Sequence, residues 1–531
     1  MDSSSKELNL LKPAFTMESF MHTVQIDGET LTIEDVVKVA HNEAKVVIPE
    51  KVKAKVKECR EFLEKILEKG KVIYGVNTGF GALSDARIPK QELRQLQENL
   101  IRSHAAGVGK PLSTEIVRAA MLLRANTLAK GYSGIRLETL ETLVEMLNKG
   151  VHPIIPAKGS VGASGDLAPL SHMVLVLMGE GEAEYKGKIM SGKEAMEKAG
   201  IKPVQLDFKE GIALNNGTQI MTAIAALTIH RAENLMETAE VASALTMEAL
   251  LGVSDALNEK IHQARPHAGQ GITAKKLREL IAGSKLVQTG EKAMAKFGRP
   301  HDVYSLRCTP QVLGAARDAI TYARKVVEVE INSATDNPLI FPETGGCFSG
   351  GNFHGQPIAL AMDTLGIALT MVGNISERRI SCLLDEKLNN GLPPFLIPPQ
   401  AKRGLNCGLM TAQYTAAALA SENKVLAHPA CADSIPTSAN FEDFVSMGTI
   451  AAQKAMQILE NTEYIVAIEL LCAAQAIDIR GPEKLGKGTR KAYRKIREVV
   501  PPLTEDRPLN PDIEKLKAMV EGGLILKSLA K

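Results

Sequence analysis

The chain has 531 residues, 45% of them apolar and 23% charged, with 63 basic side chains against 61 acidic ones. That composition excludes a disordered or fibrous protein, and the balanced charge, with no dense Lys/Arg run interleaved with aromatics, excludes a nucleic-acid binder. Aromatics are only 4% and Trp is absent, which predicts an aliphatic, mainly helical interior with minor sheet.

Seven cysteines (Cys59, Cys308, Cys347, Cys382, Cys407, Cys431 and Cys472) are scattered, odd in number and never in a C-x-x-C pair. They point to neither a disulfide framework nor a zinc knuckle, and to a reducing cytoplasm. The opening MDSSSKELNLLKPAF lacks the order of a secretory signal, and runs such as MVLVLMG at 173–179 are too short to span a bilayer, so a soluble protein is expected.

Residues 1–22 are polar and aperiodic and are read as a flexible N-terminal tail. HTVQIDGETLTIEDVVKVA then predicts a strand, an Asp-Gly turn, a second strand and a helix capped by Thr32. KVKAKVKECREFLEKILEKG predicts a helix ending at Gly70, and in the following VIYGVNTGFGALSDARIP the residues Gly75, Gly79 and Gly81 break any regular element. From QELRQLQENLIRSHAAG onward helical patterning dominates, apart from a hairpin around EGEAEYKGKIMSG and Pro/Gly-rich stretches near 150–170 and 391–404. The segment from Gly217 to Gly252 and the Ala-rich stretches 311–332, 355–378, 408–427 and 445–475 predict long helices that pack closely in a bundle, and against sister subunits.

The stretch GSVGASGDLAPL at 159–170 carries the chemistry. By itself, Ala163-Ser164-Gly165 reads as a tight turn before a helix capped near Asp166. The sharper reading is self-cyclisation. The Gly165 amide nitrogen, unhindered by any side chain, attacks the Ala163 carbonyl carbon, Ser164 loses its hydroxyl, and departure of two waters leaves an unsaturated five-membered ring. Asp166 is placed to move protons during closure.

With its companions, this motif resembles the histidine and aromatic amino acid ammonia-lyases and 2,3-aminomutases, which carry a 4-methylideneimidazol-5-one group made from such a triplet. The companions are YGVNTGFG at 74, QENLIRSHAAG at 97, LNNGTQ at 214, YSLRCTPQ at 304, TDNPLI at 335, GNFHGQ at 351 and ASEN at 420. The resemblance covers nearly the whole chain after the first twenty or so residues. It implies a long-helix bundle subunit of the aromatic amino acid lyase type with a smaller mixed N-terminal domain. The divisions expected are a domain with a lid loop at 23–131 and an electrophile-bearing helical-bundle domain at 132–531. A homotetramer is implied, with sites drawing on three subunits and the electrophile facing the positive ends of several helices.

Residue by residue, the resemblance assigns Tyr74 to the lid and to acid/base work, and Tyr304 and Arg307 to a shared motif in which Arg307 clamps the substrate carboxylate through its guanidinium fork. Asn216 is expected to face the prosthetic ring and Phe353 to wall the substrate. His104 and Glu422 are expected to grip an imidazole. The sequence departs from the histidine enzymes at Phe441 and Phe444 in FEDF, at His301 before DVYSLRC, and at Asn215 beside Asn216. The phenylalanines would dry one side of the site while His301 and Asn215 wet another.

The activity implied first is elimination of ammonia from L-histidine to give trans-urocanate. The alternative is a lyase or 2,3-aminomutase acting on tyrosine or phenylalanine. A catalytically dead assembly subunit would lack Ser164, Tyr304 or Arg307, and all are present. No metal is implied: His262 and His267 form no H-E-x-x-H or closed ligand set, and the Gly-x-Gly fragments lack the setting of a nucleotide loop.

Overall fold

The computed structural model describes residues 22–530, so the tail expected over 1–22 lies, apart from His22, outside the described residues. The described residues form twenty α-helices and nine short strands.

The first strand, His22–Gln25, does not close a hairpin. It pairs in parallel with Ala44–Val47, with the helix Ile33–Ala40 crossing between them. The reason lies in the Asp-Gly turn. The Asp27 carboxylate accepts from the Glu29 and Thr30 amides and the Thr30 hydroxyl, and Gly28 N donates to Asn126 Oδ1. With those donors spent locally or on a distant helix, no ladder continues past the turn. Thr32 caps the helix as expected, its hydroxyl accepting from Asp35 N while the Asp35 carboxylate accepts from Thr32 N.

The later hairpin forms between Glu182–Tyr185 and Lys188–Ser191, and Val151–Pro153 joins it as a third antiparallel strand. The Lys-rich helix spans Glu50–Glu68 and is followed by Gly70 at φ +75°.

Five long helices make the bundle: Gln219–Ala249, Thr309–Glu330, Gln356–Leu384, Met410–Leu426 and Gly448–Arg480. Small residues set their spacing. A Cβ on Gly366 would stand 3.1 Å from Ile458 Cδ1, and one on Gly373 3.2 Å from Ile465 Cδ1, so Gln356–Leu384 and Gly448–Arg480 approach closely at these two points. Inside the bundle, Arg379 forks onto Glu469 with Nε and Nη2 contacts of 2.6 and 2.8 Å, and Thr246 and Ser376 donate to the same carboxylate. The pair is fully buried; both carboxylate oxygens and the Nε and Nη2 donors are bonded, while Arg379 Nη1 has no partner, and the two-point fork is what makes the charges tolerable there.

Gln356–Leu384 is, by length and composition, apolar enough to cross a membrane, yet 72% of its most apolar window is buried inside the bundle. The uninterrupted apolar runs of the sequence did not single it out because Asp363, Thr364 and Thr370 punctuate it. One contiguous apolar core extends from Val24 to Ile525.

Candidate active site

The turn at 163–165 sits where four helices begin. Asp166 immediately precedes Leu167–Leu177, and its carboxylate accepts from Met221 N in the first turn of Gln219–Ala249 at 2.9 Å. Thr449, in the first turn of Gly448–Arg480, donates to the same carboxylate, and Gly355, which precedes Gln356–Leu384, donates its amide to Gly162 O. Four helix N-termini therefore converge on one short stretch of main chain, and their dipoles make it electropositive.

Close backbone contact holds the triplet. Gly165 has φ +71° and forms a parallel bridge with Gly217, whose carbonyl accepts from Asp166 N at 2.7 Å. A Cβ on Gly165 would overlap that carbonyl, so the position takes glycine for two independent reasons. Asn216 Nδ2 donates to Ser164 O at 2.8 Å, and the Ser164 hydroxyl donates to Glu442 Oε1 at 2.7 Å. Ala163 is buried against Val445 and Met447. The two polar ends of Ser164 are thus each gripped by a side chain, and its neighbours are fixed by packing.

Asp166 is fully buried and accepts from Ser160 Oγ at 2.8 Å besides Thr449 and Met221 N. Burial pushes its carboxyl above the ordinary range, and the Thr449, Met221 and Ser160 donors pull the other way. An acid raised in this way, one residue from Gly165, is suited to take and return a proton.

The glycine-rich loop folds over this region without regular structure up to the short turn Gly81–Leu83. Tyr74 is half-buried and its phenol oxygen accepts from Gly81 N at 2.9 Å, so the loop closes on its own tyrosine. Burial raises the Tyr74 phenol, the Gly81 amide lowers it, and the Glu442 charge raises it further. Gln97 Nε2 ties the loop down through Gly75 O at 3.0 Å.

His104 ends the helix Leu93–His104, with its Nδ1 3.0 Å from Ser103 Oγ. Burial depresses its pKa, while the Leu100 carbonyl and the Glu442 charge oppose that shift. One carboxylate, Glu442, therefore acts on Ser164, Tyr74 and His104 together. Sequence reading passed over it, although it lies between Phe441 and Phe444, both singled out as departures. An acid between two aromatics in a polar loop reads as a solvated one, yet Thr437 Oγ1 fixes this carboxylate at 2.8 Å through Oε2.

Phe441 and Phe444 are 57% and 59% exposed, flanking Glu442. Phe444 stacks on His354 with ring centres 6.0 Å apart, next to Phe353 in the segment leading to Gly355. Asn215 does not add the wetter wall expected of it. Its side chain is fully buried and donates to Ser171 Oγ at 3.2 Å, because as the last residue of the helix Glu210–Asn215 it faces the neighbouring helix Leu167–Leu177.

The remaining candidates form two other groups within the chain. His301, Tyr304 and Arg307 line a cavity of about 470 Å³ with Asp255 and Gln311, and the Arg307 guanidinium lies 4.8 Å from the Tyr304 ring centre. Tyr304 is 70% exposed. Glu422 lies on Met410–Leu426, exposed, and accepts from Gln457 Nε2 at 3.0 Å. Neither group is hydrogen-bonded to Ser164, Asn216 or Glu442 in the same chain, and the carboxylate whose charge acts on His104 within one chain is Glu442. His262, half of the histidine pair weighed as a metal set, is buried and bonded to Ala256 O and Gln270 Nε2.

A long-helix bundle whose helices begin at a glycine-clamped serine turn defines a lyase subunit. The chain belongs to the aromatic amino acid lyase family, whose model matches residues 31–498. It is 55% identical to the histidine ammonia-lyase of Caldanaerobacter subterraneus subsp. tengcongensis over 506 residues, covering 95% of this chain and 98% of that one. The histidine ammonia-lyase of Alkaliphilus oremlandii is likewise 55% identical, over 96% of this chain and 99% of its own length. Among solved structures, the tyrosine aminomutase of Streptomyces globisporus superposes with a TM-score of 0.92 at 41% identity, over 96% of this chain and 98% of that one. The histidine ammonia-lyase of Trypanosoma cruzi gives 0.88 at 41% identity, over 96% and 95%.

Proposed function

We propose that the chain eliminates ammonia from L-histidine to give trans-urocanate, using a 4-methylideneimidazol-5-one group closed from Ala163-Ser164-Gly165. The observation that carries this reading is the grip on Ser164: Asn216 on its carbonyl, Glu442 on its hydroxyl, at the meeting point of four helix N-termini. The relatives named histidine ammonia-lyase, matched over nearly their full length, support the substrate.

The residues fit ring closure. The Gly165 nitrogen bonds to the Ala163 carbonyl carbon, whose oxygen leaves as one water. The Ser164 hydroxyl leaves with its Cα hydrogen as the second. Asp166, buried and with its carboxyl pushed upward by that burial, relays the protons. The closed group supplies an electron-poor carbon that attracts the substrate amine. Asn216 Nδ2 stabilises negative charge at the Ser164 carbonyl oxygen. Tyr74 and Tyr304 are the acid/base residues, and Arg307 binds the substrate carboxylate. The Glu442 carboxylate takes one imidazole nitrogen and His104, held neutral by burial, lies against the ring. Phe353 walls the ring.

The Tyr304-Arg307 cavity and Glu422 reach this site from other copies in a homotetramer. A cytoplasmic location and a division at 131/132 belong to the same proposal.

A second reading is supported by Phe441 and Phe444, whose exposed rings flank Glu442 and favour a less polar substrate, tyrosine or phenylalanine, with lyase or mutase outcome. One experiment separates the two. The purified chain is weighed intact and offered histidine, tyrosine and phenylalanine, with ultraviolet absorbance following the unsaturated acid and chromatography following any β-amino acid. A mass short by two waters with urocanate from histidine is the expected result. A full linear mass overturns the ring, and turnover of tyrosine or phenylalanine alone overturns the substrate.

A further inference from the structure

We infer that Arg124 is the positioning residue of the Ser164 turn, a fixed cation that clamps the Asn216-Gly217 main chain from behind; the inference rests on the reading of Ala163-Ser164-Gly165 given above. Arg124 lies on the helix Thr114–Ala129 and is completely buried. Its Nη1 donates to Asn216 O at 2.7 Å and to Ala213 O at 3.1 Å, and its Nη2 to Thr335 Oγ1 at 3.2 Å. The two carbonyls lie at the end of the helix Glu210–Asn215, where carbonyl groups lack partners in the helix. A Cβ on Gly217 would stand 2.5 Å from Arg124 Nη2, so the glycine is what lets the guanidinium come so close.

Asn216 and Gly217 are also the residues that hold the triplet, through Asn216 Nδ2 on Ser164 O and Gly217 O on Asp166 N. Whatever fixes their main chain fixes the donor on the Ser164 carbonyl. Arg124 does so with no counter-ion. Arg379, equally buried, forks onto Glu469, whereas among the described residues no carboxylate lies within ion-pair distance of Arg124. The adjacent acid, Asp336, is bonded to Lys209 Nζ at 2.7 Å. Burial lowers the Arg124 guanidinium to about 10, with Asp336 and Asp166 opposing, so it is still a cation at neutral pH.

An unpaired buried charge is costly, and a neutral donor would satisfy the same carbonyls. What a neutral donor would lack is a fixed positive potential behind the Ser164 carbonyl oxygen, where charge accumulates during turnover.

Gln219 makes the idea testable without removing Arg124. Its Oε1 has no partner, and its Nε2 donates to Thr127 Oγ1 and to Thr335 Oγ1, the latter shared with Arg124. Q219E would place a carboxylate beside the guanidinium at almost unchanged shape. We expect a folded chain with undiminished thermal midpoint, and either incomplete loss of the two waters in the intact mass or a kcat reduced by at least about threefold at little changed KM. R124K, keeping charge but not the fork, should retain part of the maturation that R124Q loses. Parental mass and kcat in folded Q219E would overturn the inference however the Arg124 variants behave. Should Q219E fail to fold, having lost the Nε2 donor to Thr127 and Thr335, the Arg124 pair carries the test: equal loss of the two waters in folded R124K and R124Q would overturn the inference. A wild-type chain that keeps both waters would instead sink the ring itself, which separates the two failures.

Discussion

Glu442 acts on three groups assigned to the chemistry, so its replacement separates grip from maturation. In E442Q the amide oxygen still accepts from the Ser164 hydroxyl, and loss of the two waters should proceed. An amide cannot pair with a protonated imidazole nitrogen as a carboxylate does. Histidine kcat/KM should therefore fall by about a hundredfold, roughly 3 kcal/mol, with far less effect on phenylalanine. Equal losses on both substrates would remove Glu442 from substrate recognition. His152 gives a residue-level prediction about stability. Its Nε2 accepts from Arg118 Nη1 at 3.0 Å, and burial together with that cation lowers its pKa from 6.5 to about 4. The unfolded chain binds the proton first, so the stability is present above pH 6.5 and is lost as pH falls towards 4, at most on the order of 3 kcal/mol. Thermal midpoints measured across that window should fall in the wild type and flatten in H152Q. At this scale, Ser164, Asn216 and Tyr74 could be nominated from the sequence because each stands in a glycine-rich motif with few structural uses. Glu442 was not, because only the folded loop shows that Thr437 and Ser164 hold it.

At the level of elements, the legible features were those decided locally. The capping box of Thr32, the Lys-Gly hairpin turn after Tyr185 and the long Ala-rich helices all depend on residues a few positions apart. The pairing of the strand at His22 was misread because its partner lies across a helix and its turn donors are claimed by Asp27 and, for the Gly28 amide, by Asn126, about a hundred residues away. The same non-local logic makes Gly165 intolerant. G165A adds a Cβ that overlaps Gly217 O at a φ of +71°, so the parallel bridge must open. The chain should keep both waters and lose about 2 kcal/mol or more of stability, as read by intact mass and denaturant titration. Full dehydration in G165A would show that the close contact is not required. Deeper in the bundle, E469Q removes the counter-charge of Arg379 and leaves a single amide oxygen, so only one of Thr246 and Ser376, which donate to different oxygens of Glu469, keeps its acceptor. Breaking a buried pair from one side costs about 3–5 kcal/mol, so the denaturant midpoint should drop sharply, with the triplet still dehydrated in whatever folds.

For the whole molecule, the decisive fact is the separation of the candidate residues into groups that one chain does not bring together. Ser164, Asn216, Tyr74 and His104 gather around Glu442, while Tyr304 and Arg307 line their own cavity and Tyr304 stands 70% exposed. Under the proposed function, Tyr304 and Arg307 would touch the same substrate as Ser164 only if a second copy supplied them, as the proposed homotetramer would allow. This predicts complementation. S164A keeps a sound Tyr304-Arg307 surface but no reactive turn; R307A keeps the turn but no carboxylate clamp. Each alone should be nearly inactive. Co-expressed in equal amounts and assembled at random, they should recover about a quarter of parental turnover, the fraction of sites receiving an intact half from each of two chains. The recovered activity should depend on assembly, so mixing the separately purified variants without dissociating them should restore none. No recovery on co-expression, with mixed oligomers confirmed by mass, would place Arg307 in the site of its own chain and remove the case for shared sites.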